Sequence, residues 1–455
     1  MFERIKQFIK EVISKMLPSK NIERVIGAKA SISSDMVIKL EQWARMYRGQ
    51  AEWVDNDAVY SLNLEQGICK EFANVTLNEM TANVTNEKLN QLFEDATRTL
   101  NENLQSGLAT GSFIIKPLGE NKVEYITADK FIPVEFDAQG RLIKVVFIAN
   151  KIIDDNNVYH RLEFHSVDKN GLTIINKAFK STSKVELGRE ISLESVEEWS
   201  NLKEQVTYPL MLRPDFGYYR NPIKNEIDGS FCGVSIYDSA VGLIKKADIQ
   251  FGRLDWEYES GERAVHVDVT ALQATPKIGK DGKTRYEMPK LNKRLYRGMN
   301  LEGKNGDLLE DYSPELRDEN FIKGLEEYKR NIEFNVGLSY GDLSNPQTIE
   351  KSATEVKASK KRKYNTVGAI QKNLKDCLDD LVYALAFYNG LTQSGYEFIC
   401  EFKDSILVDE ETERQQDRQD VSMGVMSVLE YRMKWYGEDE KTAQKMLPQQ
   451  ADIIE

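Results

Sequence analysis

The stretch from Ser352 to Tyr388 constrains the fold of this chain more than any other. Pro346 precedes it, and the next proline is Pro448. Ser352-Ala353-Thr354-Glu355 has capping-box order, in which the serine and glutamate side chains satisfy free amides of a first helical turn. Val367, Ile370, Leu374, Cys377, Leu381, Ala384 and Tyr388 then alternate spacings of three and four, the seam of a helix packed along its length. Such a helix is on the order of 55 Å long at about 1.5 Å per residue. Its opening turns carry Lys357, Lys360, Lys361, Arg362 and Lys363, where the seam is weak. Cations at a helix N-terminus oppose the macrodipole by about a few tenths of a kcal/mol each. A charged helix end that packs weakly points to contact with phosphate; the plainer reading is a solvated face.

That cluster stands out because the chain is acidic, with a formal charge of −12 over 455 residues. The whole molecule repels DNA, so any nucleic-acid contact comes from local patches. The length predicts two to four domains, and a hydrophobic fraction of 41% predicts a folded, soluble chain. The longest strongly apolar run, Leu381 to Tyr388, falls far short of the roughly 20 residues of a membrane span. The amphipathic start, "MFERIKQFIKEVISKML", has charges inside it and lacks the pattern of a signal peptide, which predicts a cytoplasmic site of synthesis. Cys69, Cys232, Cys377 and Cys400 are widely separated, so neither zinc nor a disulfide framework is expected.

Along the chain, Ser33-Ser34-Asp35 is placed to cap a helix carrying Met36, Leu40, Trp43 and Tyr47. Helical patterns recur from Asn63 to about Met80 and from Asn86 to about Leu104. A strand-rich run follows from "SFIIKPL" to "LTIINKAFK", with a turn at Asp137-Ala138-Gln139-Gly140; it predicts one curled antiparallel sheet. From Val234, the residues Tyr237, Ala240, Ile244, Ala247, Phe251, Leu254 and Tyr258 make a helical seam that Gly261 ends. After a β insert rich in Gly and Lys, Pro314 opens another helix, with Phe321, Leu325, Tyr328, Ile332 and Val336 on one face. Antiparallel pairing of these two helices would hold the insert at the tip of a stalk. "GLSYGDLSNPQTIE" interrupts the helical pattern before the long helix, and "YEFICEFKD" reads as a strand after it. "DEETERQQD" reads as an acidic connector to two short helices, around Val421 to Tyr431 and Glu438 to Leu447. The whole is an α+β chain.

Catalytic chemistry is hard to find. His160 and His165 sit five apart on one strand and so face opposite ways, at surface or partly buried positions that do not form a metal pair. "KIGKDGKT" ends like a phosphate loop, but Lys277 stands where the loop needs glycine, so a turn is the better reading. No carboxylate set has the spacing of a metal nuclease. No catalytic residue, metal or cofactor is expected.

The order of these elements resembles the portal proteins of tailed bacteriophages, especially siphophages of Gram-positive hosts. The likeness is carried by "TADKFIPVEFDAQGRLIKVVF", "GSFCGVSIYDSAVGLIKKADIQFGRLDWEYESG", the β insert, "FIKGLEEYKRNIEFNVGLSYGDLS" and "SATEVKASKKRKYNTVGAIQKNLKDCLDDLVYALAFY". The "GLSYGDLS…SATEV" junction is its most specific part. The resemblance implies a closed ring, typically of twelve, in the virion at the portal vertex, assembled in the host cytoplasm. Residues 1–230 would form the wing, 231–260 the first stem helix and 261–313 the clip. Residues 314–340 would form the second stem helix, 341–351 the tunnel loop, 352–403 the tunnel helix with a returning wing strand, and 404–455 a short crown.

In that scheme Asp342, Asn345, Pro346, Gln347, Thr348 and Lys351 lie at the channel, near the possible phosphate contacts Lys357, Lys360, Lys361, Arg362 and Lys363. Lys277, Lys280, Lys283 and Arg285 belong to the clip that meets motor and adaptor. Implied partners are other copies of the chain, the terminase large subunit, a head-completion or neck adaptor, the major capsid and scaffolding proteins, and double-stranded DNA of any sequence. The competing readings are a DNA-processing enzyme, a nuclease or packaging motor subunit, and a multi-helix scaffold unrelated to viruses.

Overall fold

A computed structural model of the chain describes residues 25, 27, 29–55, 57–78, 80–119, 122–154, 157–182, 187–268, 275–278, 282–287, 296–299, 309–346, 353–402 and 410–447. Helices α1 (Ser34–Tyr47), α2 (Leu64–Asn78), α3 (Glu87–Thr97) and α4 (Leu100–Thr110) open it, with strand β1 (Met80–Val84) between α2 and α3. Ser33 caps α1 by accepting the Met36 amide, and Met36, Leu40 and Trp43 are buried. The expected single helix from Asn86 to Leu104 is two, with a break at Arg98–Thr99.

The strand-rich region forms two sheets instead of one curled sheet. Strands β2 (Ser112–Leu118) and β3 (Lys122–Thr127) pair with the distant β10 (Gly217–Arg220) in the order β10-β2-β3. Strands β4 (Phe131–Phe136), β5 (Leu142–Asp154), β6 (Asn157–Asp168), β7 (Gly171–Ser181) and β8 (Arg189–Ile191) run in series, with β9 (Gln205–Tyr208) on the free part of β7. All of these pairings are antiparallel.

Helix α5 (Val241–Ser260) starts later than the Val234 expected from its seam. The preceding backbone is already committed: the Ile236 amide donates to Leu108 O, and Val234 O accepts from the Asn221 side chain. Strands β11 (Ala264–Asp268), β12 (Thr275–Ile278), β13 (Thr284–Glu287), β14 (Tyr296–Met299) and β15 (Leu309–Tyr312) fill the insert. They make a three-stranded sheet, β14-β11-β15, and a β12-β13 hairpin. Helix α6 (Asp318–Val336) begins after Arg317, whose amide and guanidinium both bond Glu257 on α5; Pro314 lies outside it. Two further bonds run α5 and α6 antiparallel, Gln250 to Phe321 O and Tyr258 to Asp318, and Ser239 in the turn before α5 donates to Asn335 O.

Helix α7 (Ala353–Tyr388) is 36 residues long and crosses the molecule as its central rod. Val367, Ile370, Leu374, Cys377 and Leu381 are all buried in a core that includes residues of α1 to α6 and of β2 and β10, and Ala384 is buried in a separate cluster with Val167, Leu172 and Met211. At Gly217 on β10 a side chain would collide with the Cys377 carbonyl, so strand and helix backbones meet directly. Strand β16 (Phe398–Phe402) then returns to pair with β1, joining Met80–Val84 to a partner more than three hundred residues away. The proposed Ser352 cap lies outside the described residues.

The C-terminal region corrects the sequence reading. Helix α8 (Glu410–Ser422) stands where an acidic connector was expected, and α9 (Val428–Tyr436) and α10 (Glu440–Lys445) follow a break at Gly424. Arg414 stacks on Trp435 and Tyr436, and Asp417 holds both Lys434 and the Trp435 indole. These polar and cation–π contacts hold α8 on α9, in place of an apolar stripe that a sequence pattern would show.

All four cysteines are buried and unpaired. No described helix is long and apolar enough to cross a membrane. His160 and His165 are buried at 0% and 2% exposure, contrary to the more exposed positions expected. His165 lies between Asp215 (2.8 Å from Nδ1) and Glu163 (2.7 Å from Nε2), and Tyr388 at the end of α7 donates to Asp215 at 2.8 Å. Burial pulls the imidazole down, but Asp215 and Glu163 outweigh it and hold His165 at about 9. Lys116 completes the cluster, 3.0 Å from Glu163.

Candidate functional site

Residues 337–346 join α6 to the basic start of α7, and α6 itself holds this loop in place. Gly337 ends α6 in the left-handed region at φ 87°, donating its amide to Glu333 O. A side chain there would also strike Thr366 on α7, so glycine is required twice over.

Glu333 is completely buried, one turn before that glycine. Its Oε1 accepts the amides of Gly341 (3.1 Å), Leu343 (2.6 Å) and Ser344 (2.8 Å), and its Oε2 accepts the Ser344 hydroxyl (2.9 Å). A buried carboxylate is tolerated when its lone pairs are met in this way. Glu326, two turns earlier, accepts the Asn345 amide at 2.6 Å and the Lys329 ammonium at 2.9 Å. Burial works to raise the Glu326 carboxyl, but these two donors prevail and hold it below the ordinary carboxylate value.

The loop is also tied from the other side. Lys363 on α7 lies 3.0 Å from Asp342 in the loop and 2.6 Å from Glu71 on α2. Burial opposes its charge, yet the two carboxylates more than compensate, and Lys363 stays above the ordinary lysine value. Lys363 is only 8% exposed, so this arrangement takes it away from phosphate and makes it a fastener of the loop base. Asp342, expected at the channel, is its partner and also accepts the Ser339 amide at 2.9 Å.

Arg362 is partly covered as well. Its guanidinium sits 4.7 Å from the Phe334 ring centroid and 5.1 Å from that of Tyr340. Lys360 and Lys361 are exposed, as are Asn345 and Pro346. The structure thus brings Asp342, Asn345, Pro346, Lys360, Lys361, Arg362 and Lys363 together at one junction and splits them into two kinds. Asp342 and Lys363 fasten the loop, while Lys360 and Lys361 stand out from it. Gln347, Thr348 and Lys351, and the side chain of Lys357, lie outside the described residues.

Of the insert residues, Lys277 and Arg285 are backbone register partners on the β12-β13 hairpin. Lys283 is exposed beside Gly282, whose φ is 72°. Lys280 lies outside the described residues. This hairpin, not a strand leading into a helix, is the setting of the "GKT" triplet.

Sequence reasoning missed Glu333, Glu326 and Glu71. The signal for Glu333 was a carboxylate beside Ile332 and Val336 on the inward face of an amphipathic helix, one turn before a glycine. Among the described residues, no group of three or more His, Cys, Asp or Glu is placed to hold a metal ion.

No curated protein matches the chain. Residues 73–455, which hold the antiparallel helix pair, the fastened loop and the long helix behind it, match the family described as phage portal protein, SPP1 Gp6-like, and the chain belongs to that family.

Proposed function

We propose that copies of this chain stand side by side in a closed ring of twelve at the capsid vertex, around a channel for double-stranded DNA. As a phage portal protein the chain has a general role in connecting head to tail. The finer reading gives the ring two uses, DNA entry during packaging and DNA exit at ejection. Residues 261–313 would dock the terminase large subunit first and the neck adaptor later. Residues 404–455 would face the capsid interior, where major capsid and scaffolding proteins assemble, and no enzymatic step is assigned to the chain.

The observation that carries this reading is the junction of α6, loop and α7. The loop base is fixed by Glu333, Glu326 and Lys363, so Asn345 and Pro346 are offered from a rigid seat. Lys360 and Lys361 stand exposed behind it. A channel that DNA slides through must not grip. An acidic wall repels phosphate and centres the duplex, while a few exposed cations give weak contact that ignores sequence. Rings are tested by light scattering and negative-stain images of the purified protein: particles many times 52.2 kDa with a central hole support the reading. Solitary compact particles at every salt concentration would end it.

A further inference from the structure

A cavity of about 640 Å³ lies over strands β6 and β7 and shares no residue with the α6–α7 junction. Arg161, Glu163 and His165 alternate along β6, so they point to one face of the sheet. Glu163 is paired in register with Asn176 on β7, and His165 with Ile174, so these residues join the same floor. Lys116 enters from β2, and Asp215 and Tyr388 close the far side. Trp199 and the β9 residues Val206 and Tyr208 make an apolar wall. Leu202, Lys203 and Glu198 are exposed and form the mouth, where the two charges offset each other.

The floor holds more positive than negative charge. Glu163 is shared by three cations: Lys116 at 3.0 Å and His165 at 2.7 Å on one oxygen, and Arg161 at 3.0 Å on the other. Burial works to raise the Glu163 carboxyl, but Lys116, His165 and Arg161 prevail and hold it well below the ordinary carboxylate value. The imidazole of His165 uses both nitrogens, one on Glu163 and one on Asp215, which suits its charged form. Three cations thus stand against two carboxylates. The remaining donor is on Arg161: one terminal nitrogen serves Glu163 and Asn176, and its Nε is buried with no hydrogen-bond partner. A surplus cation held away from water is costly until an anion joins it.

We propose that this cavity binds a carboxylate carried on an apolar body, the carboxylate set beside Arg161 and Lys116 and the body against Trp199 and Tyr208. The volume lies in the range of cavities that enclose small organic ligands. Charge-assisted hydrogen bonds from the floor supply the polar contact, and the wall supplies apolar burial. Inorganic phosphate has no apolar part to place on that wall. The same chemistry is found in a free organic acid and at the end of a peptide chain. The site needs no ring and goes beyond the channel reading.

Titration calorimetry of the purified full-length protein tests this with three probes: phenylacetate, its neutral analogue phenylacetamide, and inorganic phosphate. Phenylacetate is expected to saturate one site per chain and to bind about tenfold more tightly than either of the others. An acetylated dipeptide ending in a phenylalanine carboxylate separates the two sources. Tighter binding than phenylacetate assigns the site to a chain end, weaker binding to a free acid, and both keep the proposal. Arg161→Met removes the surplus charge and weakens phenylacetate about tenfold. Leu202→Trp, at a 38% exposed position in the mouth, fills the cavity without touching the charges and abolishes binding. No saturable binding of phenylacetate to the unaltered protein overturns the proposal. So does equal binding of phenylacetamide, or undiminished binding to a folded Leu202→Trp variant.

Discussion

Glu333 and Ser344 are joined twice, the carboxylate taking the serine amide at 2.8 Å through one oxygen and its hydroxyl at 2.9 Å through the other. Two more loop amides share the first oxygen. Glu333→Ala therefore leaves buried donors without an acceptor and is expected to cost about 3 kcal/mol, and Glu333→Gln, which keeps one acceptor, about 1 kcal/mol. Urea unfolding measures the cost, and hydrogen exchange at residues 341–344 localises it. Unchanged exchange in Glu333→Ala would show that the loop is seated by other means.

Lys363 and its neighbours on α7 separate into structural and surface roles. Lys363→Met strands Asp342 and Glu71 and is expected to lower stability by about 2 kcal/mol, between the values for exposed and buried pairs. Lys360→Ala with Lys361→Ala is expected to change stability by no more than about 0.5 kcal/mol and leave assembly intact. The same double variant lowers the DNA packaged per particle. If it abolishes assembly instead, these lysines serve a contact between copies.

Glu65 gives the structure a pH dependence of its own. It is 1% exposed in the first turn of α2, and neither carboxylate oxygen has a hydrogen-bond partner within the protein. Burial, helped by the charge of Asp248, pushes its carboxyl up to about 8. The unfolded chain ionises this group near pH 4.3, so the stability conferred by the protonated acid is full below that point and is lost progressively as pH rises to about 8. Glu65→Gln removes this slope, and its stability relative to the unaltered protein should climb across that window and level off above it. A flat difference between the two proteins would mean that Glu65 is solvated.

His165 works over a different window. Its folded value of about 9 lies above the ordinary value near 6.5, so the charged imidazole stabilises fully below about 6.5 and ceases to as pH passes 9. His165→Gln should lose stability at neutral pH and lack the loss between pH 6.5 and 9. Chemical denaturation at stepped pH measures both effects, and an unchanged profile in the variant would remove His165 from the account.

Removal of residues 273–300 tests the insert. The ring should still form, and binding of the terminase large subunit should be lost. Retained binding in a pull-down would place the motor elsewhere.

Helices with seams were the legible part of this fold. The alternating threes and fours of Val367 to Ala384 and of Ile244 to Leu254 reported real burial because a helix carries its packing pattern locally, whereas Tyr388, at the end of the expected seam, is 39% exposed. Strand partners were not legible: β2 reads the same whether it joins β4 or the distant β10, and β1 needs β16 to be a strand at all. Helix α8 was missed because an interior of guanidinium on indole leaves no apolar period. At the site, the basic run was visible, but not its division. Lys360 and Lys363 look alike in sequence, and it takes Asp342 together with Glu71, nearly three hundred residues away, to separate a cation that fastens from one that is offered.

Helix α7 is tethered near both extremities, by Lys363 at the loop and by Tyr388 at the His165 cluster. A rod so fixed cannot take up strain by swinging at one end. In the proposed ring, load arriving at the loop base would travel down this axis to the strand that carries His165.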